Sequence, residues 1–178
     1  MTMRAIEFLI LHCTAGSQAW TARELQAFFM RPVAEGGRGW SRGGYHWLVE
    51  ADGEAVRLYS DALVTNGTYP YSGLGIKVSN SNTVHICYTG GVGTLMQAVD
   101  NRTAAQRTAL AKLVRDYVAA YPNLRVLGHN QVREKACPAY WVPDFCREIG
   151  VPDRRVWTGN PFGFPVPAAV SHASTPAL

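Results

Sequence analysis

Ile6-Glu7-Phe8-Leu9-Ile10-Leu11 is a nearly continuous apolar run of strand length, and it ends on His12. A run without alternation is typical of a strand covered on both faces. Thr21-Ala22-Arg23-Glu24 has the spacing of a capping box, and Leu25, Phe28 and Phe29 then recur at helical intervals until Pro32. This pattern predicts a first helix. Gly36-Gly37-Arg38-Gly39 marks a mobile loop. Beyond it, Tyr45-His46-Trp47-Leu48-Val49 and Ala55-Val56-Arg57-Leu58-Tyr59 flank the turn pair Asp52-Gly53, which reads as a β-hairpin.

Thr83-Val84-His85-Ile86-Cys87-Tyr88 is a further β-rich run, closed by Gly90-Gly91. A second capping box, Thr103-Ala104-Ala105-Gln106, opens a stretch in which Leu110, Leu113, Val114, Tyr117, Val118 and Tyr121 fall at steps of three and four. The main helix should therefore cover Thr103–Tyr121 and stop before Pro122. Arg125-Val126-Leu127 predicts a short strand delivering Gly128-His129, and Trp141–Ile149 a closing helix. Strands and helices interleave, so the expected fold class is α/β, a sheet with helices on its faces. From Val156 to Leu178 there is no Asp, Glu, Lys or Arg, while Pro161, Pro165, Pro167 and Pro176 recur. The expectation is one domain over 1–155 followed by an extended uncharged tail over 156–178.

The chain of 178 residues has 47% hydrophobic and 17% charged positions, which excludes disorder and coiled coil. At ~100–200 residues per domain this length suits a single domain that folds without staples. The formal charge of +4 attracts polyanions weakly, but no Lys/Arg run exceeds two residues. That is too thin for a nucleic-acid binder, whereas an anionic cell wall fits the charge. No uninterrupted apolar stretch of about 18 residues occurs, so membrane insertion is not expected. Met1–Gly16 does not read as a signal peptide, because Glu7 and His12 interrupt a short apolar segment preceded by Arg4 alone. Of the four cysteines, Cys13, Cys87 and Cys146 read as small buried hydrophobes, and a reducing compartment favours a metal or catalytic role for Cys137 over a disulfide.

Chemistry gathers around His12 and His129, each just past a strand, and Cys137, which follows in a loop with Lys135 and Pro138. Two imidazoles and one thiolate suit zinc, and three protein ligands leave the fourth tetrahedral position for water or substrate. Spacing alone leaves each histidine open to a purely structural role. The same holds for His46 and His85, which alternate with apolar neighbours and read as satisfied structural histidines, one of which could face a cleft.

The ordered combination His12-Cys13-Thr14-Ala15, Gly39-Trp40, Gly44-Tyr45-His46-Trp47, Asp52-Gly53, Thr89-Gly90-Gly91, Thr103-Ala104-Ala105-Gln106, Gly128-His129 and Lys135-Ala136-Cys137-Pro138 resembles the zinc-dependent N-acetylmuramoyl-L-alanine amidases. The likeness spans residues 6–150 and is strongest toward the small endolysins of tailed phages. It implies a single mixed central β-sheet of the peptidoglycan-recognition-protein type, and one catalytic zinc ion held by His12, His129 and Cys137. It also implies that Tyr45, in the Gly-Tyr-His motif, and Lys135, two residues before the cysteine, are catalytic. A zinc ion can lower the pKa of a water to about 7 while polarising the carbonyl. Lys135 would then stabilise the oxyanion, and the Tyr45 hydroxyl would orient the water or relay its proton. The bland alternatives are a hairpin tyrosine that merely packs and a solvated loop lysine.

Two departures from the family stand out. Where relatives carry a His-Ala-x-Gly-Tyr-Asn-like segment, this chain reads Asn66-Gly67-Thr68-Tyr69-Pro70-Tyr71 with extra residues before Asn82-Thr83-Val84. The Gly-His-Arg-Asp form becomes Gly128-His129-Asn130-Gln131, which keeps the ligand. The expected function is a peptidoglycan hydrolase cutting the amide between N-acetylmuramic acid and L-alanine, a monomeric endolysin held in the host cytoplasm until release to the wall. A binding module without turnover and a cysteine hydrolase using Cys13 or Cys137 are the competing readings.

Overall fold

The computed structural model describes residues 4–166. β1 (Phe8–Cys13) is buried at all six positions and pairs in parallel on both sides, which explains why its sequence does not alternate. α1 (Ala22–Met30) begins with the expected capping box: the Glu24 N–H donates to Thr21 Oγ1 at 3.3 Å, and the Thr21 N–H donates to Glu24 Oε2 at 2.9 Å. The Gly36–Gly39 loop does not hang free. Backbone N–H groups of Arg38, Gly39 and Trp40 donate to the carbonyls of Phe28, Arg31 and Phe29 at 3.1, 2.8 and 2.9 Å, tying the loop to the end of α1.

β2 (Trp47–Val49) and β3 (Ala55–Arg57) form the expected antiparallel hairpin, shorter at its open end than the sequence suggested. There the His46 carbonyl accepts from both the Leu58 and Tyr59 N–H groups, at 2.8 and 3.2 Å, which ends the regular ladder. β4 (Tyr71–Gly73) and β5 (Ile76–Val78) make a second small hairpin that the sequence pattern did not reveal. β6 (Thr83–Tyr88) is again buried at all six positions. α2 (Ala104–Ala120) starts on its own capping box, and the Gln106 side chain also donates to the Thr89 carbonyl at 2.9 Å, fixing the helix to the end of β6. β7 (Arg125–Gly128) runs directly into the short α3 (His129–Val132), and α4 (Val142–Glu148) closes the series.

The main sheet has the order β3-β2-β6-β1-β7, parallel except for the β3 edge, so it is a single mixed sheet flanked by helices. Alternation divides its two faces. Leu9, Leu11, Val84, Ile86 and Tyr88 pack with Leu110, Val114 and Phe145 from α2 and α4. Phe8, Ile10 and Leu127 pack on the other face with Ile76, Val78 and Trp157. Trp157 belongs to the tail, whose described part lies along the domain. Its N–H donates to the Val126 carbonyl at 3.0 Å, and Phe164 stacks on Trp141 with ring centroids 6.1 Å apart. The remainder of the tail, 167–178, lies outside the described residues.

Deleting everything after Arg155 should therefore destabilise the domain. Losing a buried Trp side chain costs about 3 kcal/mol or more, equivalent to roughly 6–12 °C in a domain of this size. Calorimetry of the truncated protein checks this, and a melting temperature within 2 °C of the full chain would show that the strap adds no packing.

Candidate metal centre and cleft

Side chains on one strand alternate between faces, so the face carrying Phe8 and Ile10 also carries His12, at the C-terminal end of β1. Ile10 pairs with His85 and His12 with Cys87, which brings the His85 ring onto the same face. β7 ends beside β1 and hands over to His129, the first residue of α3. Cys137 lies in the loop between α3 and α4, where it precedes a cis proline. Three separate segments thus converge at the carboxyl ends of adjacent parallel strands, the usual place for a site in an open α/β sheet.

The donor atoms of His12, His129 and Cys137 all lie within 4.8 Å of one another. His12 Nδ1 is 3.7 Å from Cys137 Sγ, and the rings of His12 and His129 are 4.6 Å apart. A tetrahedral zinc ion with its usual bond lengths places nitrogen and sulfur ligands about 3.5 Å apart, so the donor set fits that ion. The Cys13 backbone N–H donates to Cys137 Sγ at 3.2 Å and favours the thiolate form. Gly91 has φ +93°, and a Cβ there would meet Cys13 Sγ at 2.3 Å, so only glycine lets the loop after β6 pass this close.

Burial depresses all the imidazoles here. His12 lies well below the usual histidine value through burial, then through the neighbouring His129, His85 and Lys135. His129 falls to about 4 through burial and the charges of Lys135 and Arg133. Both rings are therefore neutral at pH 7, the state that a metal ligand needs. Burial pushes the Cys137 thiol up, as does the adjacent Cys13. Tyr45 is also raised, by burial first and by the thiols of Cys87, Cys137 and Cys13, so its hydroxyl stays protonated.

A cleft of about 410 Å³ opens over the centre, lined by Tyr45, His129 and Lys135 together with Phe29, Trp40 and Tyr69. All five site residues expected from the sequence lie in one place: three converge as donors, and Tyr45 and Lys135 border the same cleft. The Tyr45 ring packs 5.1 Å from His12 and 5.5 Å from Phe29. Phe29 stacks on Trp40 at 5.1 Å and gives the cleft an aromatic wall. A larger groove of about 560 Å³ between the β2–β3 hairpin and α2 contains none of these residues. The thiols of Cys13, Cys87 and Cys146 are buried and unpaired by disulfides, as expected.

His46 and His85 are both buried and hydrogen-bonded, but His85 is more than a structural filler. Its Nδ1 sits 3.0 Å from His12 Nε2 and its Nε2 sits 3.1 Å from Asn80 Oδ1. No local motif marks this contact. The only signal was that His12 and His85 occupy matching faces of strands that prove to be neighbours.

A family model described as N-acetylmuramoyl-L-alanine amidase matches residues 2–140. The endolysin of Enterobacteria phage T3 is 29% identical over 136 residues, covering 75% of this chain and 81% of that protein. Among solved structures, the Ph2119 endolysin from a Thermus scotoductus MAT2119 bacteriophage superposes with a TM-score of 0.61 at 23% identity, covering 81% of this chain and 84% of that one. Bumblebee PGRP-SA superposes with a TM-score of 0.59 at 17% identity, covering 86% and 85%.

Four histidines, three of them buried and His129 half-buried, are held below their unfolded value of about 6.5 and make the metal-free fold acid-sensitive. His46 and His129 titrate near 4 in the fold, and His12 and His85 are lowered as well. The unfolded chain takes up these protons first as pH falls, so stability is complete above about 6.5 and is lost progressively toward about 4. Thermal melts of metal-free protein at pH 7.5, 5.5 and 4.5 should show this decline, and a flat profile would contradict the burial of the imidazoles.

Proposed function

We infer that this chain, which belongs to the N-acetylmuramoyl-L-alanine amidase family, cuts the amide between N-acetylmuramic acid and the L-alanine of the peptidoglycan stem peptide. We propose that it does so with one zinc ion held by His12, His129 and Cys137, and with Tyr45 and Lys135 as its catalytic side chains. The observation that carries this reading is the convergence of two neutral imidazoles and one thiol at the base of a cleft bordered by a tyrosine and a lysine.

Amide hydrolysis needs a nucleophilic water and a counter-charge for the oxygen that becomes negative in the transition state. A bound zinc ion would supply both the acidified water and the polarised carbonyl. The chain's own groups then set geometry and protons. In this reading the Tyr45 hydroxyl, which burial keeps protonated, orients the attacking water or passes on its proton. The Lys135 ammonium reaches the same cleft from the Cys137 loop and stabilises the developing oxyanion. The stacked Phe29 and Trp40 rings offer a flat apolar face for the sugar, and the polar edge formed by Asn66, Thr68 and Asn80 suits a peptide backbone.

In this proposal residues 1–155 form the catalytic unit and 156–178 an extended uncharged tail, and the protein works as a monomer without nucleic acid. No helix among the described residues is long and apolar enough to cross a membrane. The proposed route to the wall is release from the host cytoplasm through a membrane opened by a separate protein.

Cys137→Ser should abolish zinc retention and wall lysis together, because a hydroxyl is a far weaker ligand than a thiolate. Elemental analysis showing full metal content in that variant would overturn the ligand set. Lys135→Ala and Tyr45→Phe should keep the metal and the fold while slowing turnover, by about 2–4 kcal/mol in barrier for Lys135 if it acts as an oxyanion donor. Turnover on purified walls, with mass spectrometry of the released stem peptides, measures both. Near-wild-type rates would return the two residues to packing and solvation.

A further inference from the structure

Behind His12 the structure holds a chain of hydrogen bonds in which every donor and acceptor can be assigned. The Thr68 backbone N–H, which can only donate, lies 2.9 Å from Asn80 Oδ1 and fixes that atom as the amide oxygen. The same oxygen faces His85 Nε2 at 3.1 Å, so His85 carries its proton on Nε2 and its lone pair on Nδ1. That lone pair faces His12 Nε2 at 3.0 Å, so His12 in turn carries its proton on Nε2. Its lone pair is left on Nδ1, the atom turned toward Cys137. The opposite tautomer of His12 would reverse His85 and set the Nε2 lone pair of His85 against Asn80 Oδ1, an acceptor facing an acceptor at a ring that is 0% exposed.

The backbone of His85 is anchored as firmly as its ring. Its N–H donates to His46 Nδ1 at 3.1 Å, and His46 Nε2 donates to the Leu63 carbonyl at 3.0 Å. Gly67 lies flat against the ring, since a Cβ there would meet His85 Cγ at 2.3 Å. Thr68, at the other end of the relay, lines the cleft itself, as does Asn80.

We propose that His85 and Asn80 are positioning residues that lock His12 in the Nε2–H tautomer and couple the cleft wall at Gly67–Thr68 to the metal site. A ligand imidazole whose far nitrogen is held by a fixed acceptor is both oriented and made a better donor. The proposal rests on the reading of His12 as a ligand through Nδ1.

The test uses the full chain in metal-free and zinc-loaded forms. Long-range 1H–15N spectra of the metal-free protein should show His12 as the Nε2–H form, a signature that does not depend on the metal. Asn80→Ala, which removes the acceptor at a half-buried site, should give a mixed His12 tautomer and weaken zinc binding about 10-fold or more in chelator competition. Asn80→Asp keeps an acceptor oxygen and should restore both. His85→Phe should weaken zinc more than Asn80→Ala, with thermal melts showing whether it folds; Asn80→Ala carries the test if it does not. An Nδ1–H form of His12 in the wild type, or an unchanged zinc affinity in folded Asn80→Ala, would overturn the relay. Full zinc retention by His12→Ala would instead remove the ligand reading on which it rests.

Discussion

In β1 and β6 every second side chain faces the same side of the sheet, so shifting either strand by one residue would exchange His12 for Leu11 or Cys13 and His85 for Ile86 or Val84. The apolar partners fix the register. Leu9, Leu11, Val84 and Ile86 have to meet α2 and α4, and that requirement alone turns His12 and His85 to the opposite face. The site therefore inherits its geometry from the core. His12 cannot be displaced without exposing a row of aliphatic side chains that burial holds at about 25 cal/mol per Å².

The same burial sets the electrostatics. Two neutral imidazoles and a protonated thiol describe the metal-free centre, because each charged form would lie in a medium that solvates it poorly. A divalent cation held here would reverse that balance for the thiol, and the Cys13 N–H, directed at the sulfur, favours the anion. Lys135 is the exposed exception. Its charge borders the cleft and depresses the nearby imidazoles.

Much of this was legible in the residue pattern. Both capping boxes, the unbroken strand to His12, the first hairpin and the long helix each rest on local rules, and each appears where those rules put it. The β4–β5 hairpin was not legible, because its strands have three residues each and include Ser72 and Gly73, too few and too polar for an alternation to stand out. The His12, His129 and Cys137 set could not be read from spacing, since His12 lies far from the other two in sequence and meets them only once β7 lies beside β1. It was the order of short motifs that pointed to it. The contact between His12 and His85 was hidden for a similar reason: it depends on which strands are neighbours, and no single-strand pattern contains that information.

His129 is held from behind by a part of the chain outside the family match, which ends at residue 140. Gln131 accepts from the Gly128 N–H at 2.8 Å, while its amide donates to the carbonyls of Trp157 and Gly159 at 2.7 and 3.0 Å. Gln131 is 0% exposed, so these bonds are made without competition from water. Gly128 directly precedes His129, and the strap thereby fixes the point at which β7 turns into α3. Loops tied to α1 and to Asn80 restrain the opposite wall of the cleft in the same manner. Both sides of the candidate centre thus rest on hydrogen bonds from segments that supply none of its three donor atoms, so the fold itself holds those atoms in place.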